Sequence, residues 1–312
     1  VEAGQEEAED VYIENRMADE FQIDEYGVLV KYSGNAMDVV IPKGVTSIGK
    51  RAFSSCSRLT NISLPEGVTR IGNDAFEYCA SLASIRLPDG LISIGRGAFN
   101  GCKSLISISL PESVTSIGES AFNECKSLIS ISLPESVTSI RESVFKGCSS
   151  LVNIILPDGV TSIGEFAFLG CSSLANVKIP ESVTYIEYNA FLGCSSLTNV
   201  EIPKGVASIE RFAFRGCSSL VNVKIPESVT SIGIGAFSDC SSLTGINVAE
   251  ENSNYLSNNG VLYNKNRSTL LQYPGGLSSV NILDEVTSIG ESAFYGCRCL
   301  TDICLPNGVR RI

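Results

Sequence analysis

The chain has 312 residues, a net charge of −11, 44% hydrophobic residues and no His or Trp. Without histidine there is no Ser-His-Asp or Cys-His nucleophile and no His-ligated zinc. No apolar run approaches the roughly 18 residues of a membrane span, so no membrane insertion is expected within this segment.

The first 25 residues hold ten acids against Arg16 alone, a charge of −9, and the remaining 287 residues carry only −2. Residues 1–20 are therefore expected to form an acidic, mostly disordered leader. A near-neutral body offers no basic stripe for phosphates, which argues against a nucleic-acid partner. The chain opens on Val1 and stops at Ile312 inside a repeat, so a processed or shortened chain, consistent with a removed secretion signal, is expected.

Residues 21–41 read as an N-terminal cap, a hairpin-like pair followed by the strand Met37-Asp38-Val39-Val40-Ile41. From 42 to 248 the chain keeps a fixed period of 23. Cys56, Cys79, Cys102, Cys125, Cys148, Cys171, Cys194, Cys217 and Cys240 are evenly spaced, and Phe53 through Phe237 and Leu59 through Leu243 keep the same step. Nine units follow, each close to P-E-x-V-T-S-I-G-x-x-A-F-x-G-C-S-S-L-x-x-I-x-L. In the first, Leu59 to Leu64 alternates like a strand, Val45 to Ile48 predicts a second, shorter extended piece, and the Ala52-Phe53-x-x-Cys56 spacing predicts one helical turn. Residues 249–282 break the period, and 260–263 and 269–272 predict a β-hairpin replacing the helical turn. A tenth unit spans 283–305, and 306–312 begin another.

Eight columns, those of Val45, Ile48, Ala52, Phe53, Cys56, Leu59, Ile62 and Leu64, are apolar in nearly every copy. Their burial in one coil cannot offset the entropy of ordering 23 residues, so coils must stack and share backbone hydrogen bonds. The predicted architecture is an α/β, β-rich solenoid of parallel strands about 4.8 Å apart, on the order of 50 Å long.

At these residues the sequence resembles the BspA-type leucine-rich repeat proteins, in their short 23-residue subclass. The resemblance covers 21–312, including the Gly-Val-Leu shared by the cap and the hairpin segment. It implies a right-handed leucine-rich repeat superhelix, an extracellular or cell-surface location, and adhesion to host extracellular-matrix or microbial surface proteins. It carries no common catalytic residues and no cofactor.

The cysteine register places the thiols in one column beside Phe and Leu, expected to be a buried, reduced ladder, with disulfides or a metal as the alternatives. Cys299 and Cys304 fall outside the column and are expected to be exposed. The glycines of the Gly49 column share their position with Arg141, Glu187 and Glu210, so positive φ is not demanded there and no phosphate nest is implied. Glu112, Glu135, Glu181 and Glu227 form a corner column beside proline, which makes a carboxylate-pair glycosidase the least favoured reading.

Binding is read where the repeat breaks. Asn153, Asn176, Asn199 and Asn222 are expected to bond one another along the stack. Lys178, Glu201 and Lys224 charge an otherwise serine-rich strand column. Phe166 and Phe212 occupy a column of polar residues, Leu169 and Leu192 replace Ser54, Glu77 or Asn100, and Tyr185 and Tyr188 fall in the coil between. Phe166, Leu169, Tyr185, Tyr188, Leu192 and Phe212 are expected to form a contiguous apolar patch on the turn side, and Lys178, Glu201 and Lys224 are further candidate anchors on the long-strand face. The function expected is non-catalytic binding, with a structural stalk presenting another domain as the alternative.

Overall fold

The computed structural model describes residues 20–279 and 281–312, so the acidic leader lies almost entirely outside the described residues. Each 23-residue unit forms one coil with two strands. Long strands run from Asp38–Val40 to Gly245–Val248, every neighbouring pair parallel and in register wherever a ladder joins them, as in Ser107–Ser109 with Ser130–Ser132 and Asn153–Ile155. Short strands such as Ser47–Ile48, Arg70–Ile71 and Ser93–Ile94 form a second parallel ladder.

In a coil flanked on both sides, Val114, Ile117, Ala121, Phe122, Cys125, Leu128, Ile131 and Leu133 are all buried. Their spacing puts them inside because strand residues alternate and the proline ends each long strand. Nine phenylalanines from Phe53 to Phe237 stack with Tyr32 at centroid separations of 5.0–5.8 Å. Tyr32 supplies the first ring. It ends the strand Val28–Tyr32, which pairs antiparallel with Phe21–Ile23 and parallel with Ser47–Ile48, so the open face of the first coil is covered.

The thiol column is buried and unbridged apart from a half-buried Cys56. From Cys79 to Cys240 each Sγ donates to the phenylalanine carbonyl of the preceding coil at 3.0–3.3 Å. Burial pushes these thiols up, to about 12 for Cys79, Cys171 and Cys240, which leaves them protonated donors.

The segment expected to be a helical turn is instead a run of tight turns. Amide donors alternate: Ala75, Glu77 and Cys79 bond three residues back, while Asp74, Phe76 and Tyr78 bond the next coil at 2.7–2.8 Å. A helix would direct every amide into its own ladder, and here half are committed to the neighbouring coil. Left-handed residues at Asp74 (φ 57°) and Tyr78 (φ 58°) break the helical path, and both columns repeat through the stack. The Gly49 column has a different origin. At Gly72, Gly95 and Gly118 an added Cβ would meet the preceding coil's backbone at 2.4–2.8 Å, so close approach is what selects glycine there.

Two interfaces are incomplete among the described residues: long-strand pairing breaks between Ser84–Arg86 and Ser107–Ser109, and short-strand pairing breaks further along the stack. Short-strand pairing stops at Ser116–Ile117 and resumes at Ser162–Ile163, and among the described residues only the bridge Ile140↔Ile163 lies between them. Among the described residues, the amides of Thr138 and Arg141 lack the bonds to the preceding coil made by Thr115 and Gly118. This coil carries Val144 in the alanine column; bulk at Arg141 in the glycine column does not account for the gap, because the coils of Glu187 and Glu210 keep their pairing there.

Residues 249–282 contain three antiparallel strands, Tyr255–Asn258, Val261–Asn264 and Thr269–Gln272, the last pairing parallel with Ser288–Ile289 of the tenth coil. The first of these strands was not anticipated. Leu262 joins the main core, while Val261 and Tyr263 enter a second cluster with Leu270, Tyr273 and Val286. On the turn side the insertion contributes its end, Gln272 and Tyr273, which bond Ser238 and Ala293. Asp239 N donates to Tyr295 O at 3.0 Å, the relation Ser55 has with Glu77, so the tenth coil abuts the ninth there directly.

Candidate functional site

The candidate residues divide among separate rows of the coil. On the turn row, Phe166 and Phe212 sit in the first left-handed column at φ 57° and 58°, where other coils carry Asp74, Gly97, Ser120 or Asn189. Asn, Asp and Gly adopt this conformation readily, whereas a bulky L-residue pays about 1–2 kcal/mol for it. Tyr188 lies between the two rings, 5.3 Å from Phe166 in edge contact and 6.3 Å from Phe212. All three rings are half-buried, and Leu169 and Leu192 lie half-buried in the column three residues further on.

Cations flank this ridge. Lys146 Nζ stands 5.7 Å from the Phe166 centroid, and the guanidinium carbons of Arg211 and Arg215 stand 4.6 Å and 5.2 Å from that of Phe212. Arg215 also lies 4.7 Å from the Tyr295 ring centroid and donates to its hydroxyl at 2.8 Å. The ridge therefore continues into the tenth coil. On the neighbouring columns, burial and then repulsion from Glu165, Glu210 and Glu142 raise the Glu187 carboxyl above its usual range, against a backbone bond that lowers it.

Tyr185 is 52% exposed on the short-strand row, in register with Ser162 and Ser208. It makes no ring contact with the ridge among the described residues. Lys178, Glu201 and Lys224 stand on the long-strand row, exposed on adjacent strands, with Glu201 opposite Lys224. They border two adjoining grooves of about 660 and 420 Å³ that run along the corner beside Pro203. The expected apolar patch thus loses Tyr185, and the charged candidates border a separate groove on the long-strand row.

The expected asparagine ladder does not form. Asn153, Asn176, Asn199 and Asn222 are in register and exposed, yet no amide-to-amide bond joins them among the described residues, and Asn199 Nδ2 turns to Thr198 Oγ1 at 3.4 Å. Water satisfies exposed amides without fixing their rotamers in common. A short amide run occurs on the half-buried turn row instead, where Asn123 donates to Asn100 at 3.0 Å and Asn100 to Glu77 at 3.2 Å. Cys299 and Cys304 are exposed.

The repeat pattern of the BspA type leucine-rich repeat region, in six copies, matches residues 30–152, 138–267 and 267–312. This chain belongs to the BspA-type leucine-rich repeat family. A leucine-rich cell surface protein of Faecalibacterium prausnitzii A2-165 is 32% identical over 91% of this chain and 92% of its own, with a TM-score of 0.60. A leucine-rich repeat protein of Treponema pallidum, TpLRR, is 28% identical over 72% of this chain and 89% of its own, with a TM-score of 0.46. One from Bacteroides ovatus ATCC 8483 is 27% identical over 93% and 87%, with a TM-score of 0.44. No curated protein matches the chain.

Within this BspA-type solenoid, Lys146, Arg211, Arg215 and Tyr295 are the site residues that sequence reasoning passed over. Arg215 shares its column with Leu169 and Leu192, a signal that was available. Tyr295 had none, because only the one-sided insertion brings the tenth coil against the ninth on the turn row.

Proposed function

We infer that this BspA-type protein is a non-catalytic binding protein of the cell surface or exterior, adhering to host-matrix or microbial surface proteins through its rigid repeat surface. The observation that carries this reading is the ridge of Phe166, Tyr188 and Phe212. Rings are held half-exposed, two of them at left-handed positions that disfavour them, and cations flank them. Aromatic and arginine side chains dominate protein-recognition hot spots, and strain retained at a surface position needs a compensating use.

The solved relative of F. prausnitzii is described as a cell surface protein, which supports the location. The test is to pan the purified protein against immobilised matrix proteins and repeat with Phe166→Ser/Phe212→Ser. Loss of a captured partner is expected. Equal capture by the double variant sinks the ridge assignment and favours the second reading, a stiff stalk, for which the ring stack unbroken from Tyr32 to Phe237 speaks.

A further inference from the structure

The groove on the long-strand side carries a second pattern that the ridge does not use. Its strand wall reads Lys178, Glu201, Lys224 on successive coils, and its corner wall, three residues further along each coil, reads Glu181, Lys204, Glu227. The signs alternate along each wall and oppose one another within each coil. On the corner wall Lys204 pairs with Glu227 at 3.6 Å. The three strand-wall charges make no ion pair or side-chain hydrogen bond among the described residues, so their charge is available to a ligand. The floor between the walls is apolar, with Ile179, Ile202 and Pro203.

A ligand lying along this groove meets the same charge only every second coil, about 9.6 Å apart at a strand spacing of about 4.8 Å. Secondary structures differ sharply in whether they can match that period. An extended strand returns a side chain to the same face every ~6.7 Å, and an α-helix does so every ~5.4 Å or, over two turns, ~10.8 Å. A polyproline II segment returns one every three residues at ~3.1 Å each, or ~9.3 Å, on a three-fold screw that restores its direction. We propose that the groove binds an extended polyproline II peptide with an acidic residue at every third position and a basic residue beside it. The acids face Lys178 and Lys224, and the bases, turned by a third of a revolution, face Glu181 and Glu227.

A labelled (Pro-Glu-Lys)n peptide long enough to cross three coils is titrated into the full chain by fluorescence anisotropy. Saturable binding is expected, weakened about tenfold or more by high salt, by scrambling the peptide, or by Lys178→Glu/Lys224→Glu. Both lysines are exposed, and an unchanged circular dichroism spectrum and melting temperature establish that the variant folds. Phe166→Ser/Phe212→Ser should bind the peptide like the parent, which separates this groove from the ridge. No saturable binding, equal affinity for the scrambled peptide or for a helical one of alternating charge, or full retention by the lysine variant overturns the proposal.

Discussion

Replacing Phe145 by Ala should split the solenoid in two. Phe145 is fully buried, and its separation from Phe122, 5.8 Å, is the widest in the phenylalanine stack. The same interface lacks the short-strand pairing and the Thr138 and Arg141 amide bonds that other coils make. At about 0.5–1.5 kcal/mol each, those two bonds alone leave this junction about 1–3 kcal/mol weaker than a junction with complete ladders. Truncating a buried phenylalanine costs about 3–5 kcal/mol more, and in a repeat array the loss falls on the two interfaces that residue shares. Denaturant unfolding followed by hydrogen exchange should then show two transitions, with coils on one side of residue 134 exchanging while those on the other stay protected. Phe191→Ala is the control, because its ladder is complete and its neighbours stack at 5.1 Å. A single coincident transition in Phe145→Ala, or equal splitting in Phe191→Ala, would refute the claim that the Arg141 coil is the weak junction.

Phe166→Asn/Phe212→Asn should bind partners less well yet melt within a few degrees of the parent, because relief of about 1–2 kcal/mol at each left-handed position offsets the lost ring contacts; a large drop in melting temperature would show the rings are core. Glu187→Gln should stabilise the fold at neutral pH. The folded carboxyl is raised, so its ionisation penalty is absent below the unfolded value and develops as pH rises through the folded one; equal gains at acid and neutral pH would contradict this. Thiol titration should find Cys299 and Cys304 fast in the native state, the column from Cys79 to Cys240 silent, and all twelve cysteines reactive after denaturation; fewer free thiols then would mean the ladder is bridged.

The fold was legible because the residues that build it repeat. Phe53 or Cys79 read alone is ambiguous, but a strict step of 23 leaves only a stack in which like sits on like. What stayed hidden was set by relations between coils. The thiol-to-carbonyl bond needs the offset of each cysteine from the phenylalanine 26 residues earlier, and the left-handed columns hide behind occupants as unlike as Arg51, Asp74, Gly97 and Phe166. The helical turn was misjudged because the Ala-Phe-x-x-Cys spacing also fits turns whose amides reach the next coil. Of the candidate site, Phe166, Tyr188 and Phe212 could be found because they interrupt a polar column, whereas the separation of Tyr185 from them depends on the path of the chain within each coil.

The one-sided insertion at residues 249–282 acts as a wedge. It parts the ninth and tenth coils on the strand rows, where Thr269–Gln272 pairs with Ser288–Ile289, while Asp239 N still donates to Tyr295 O on the turn row. Straight rows on the long-strand side end at Gly245–Val248. Ten strands at about 4.8 Å give a track of roughly 43 Å. Any ligand that follows it must stop, bend or leave the surface at the hairpin, and the protein carries its own limit on the length of what it can hold there.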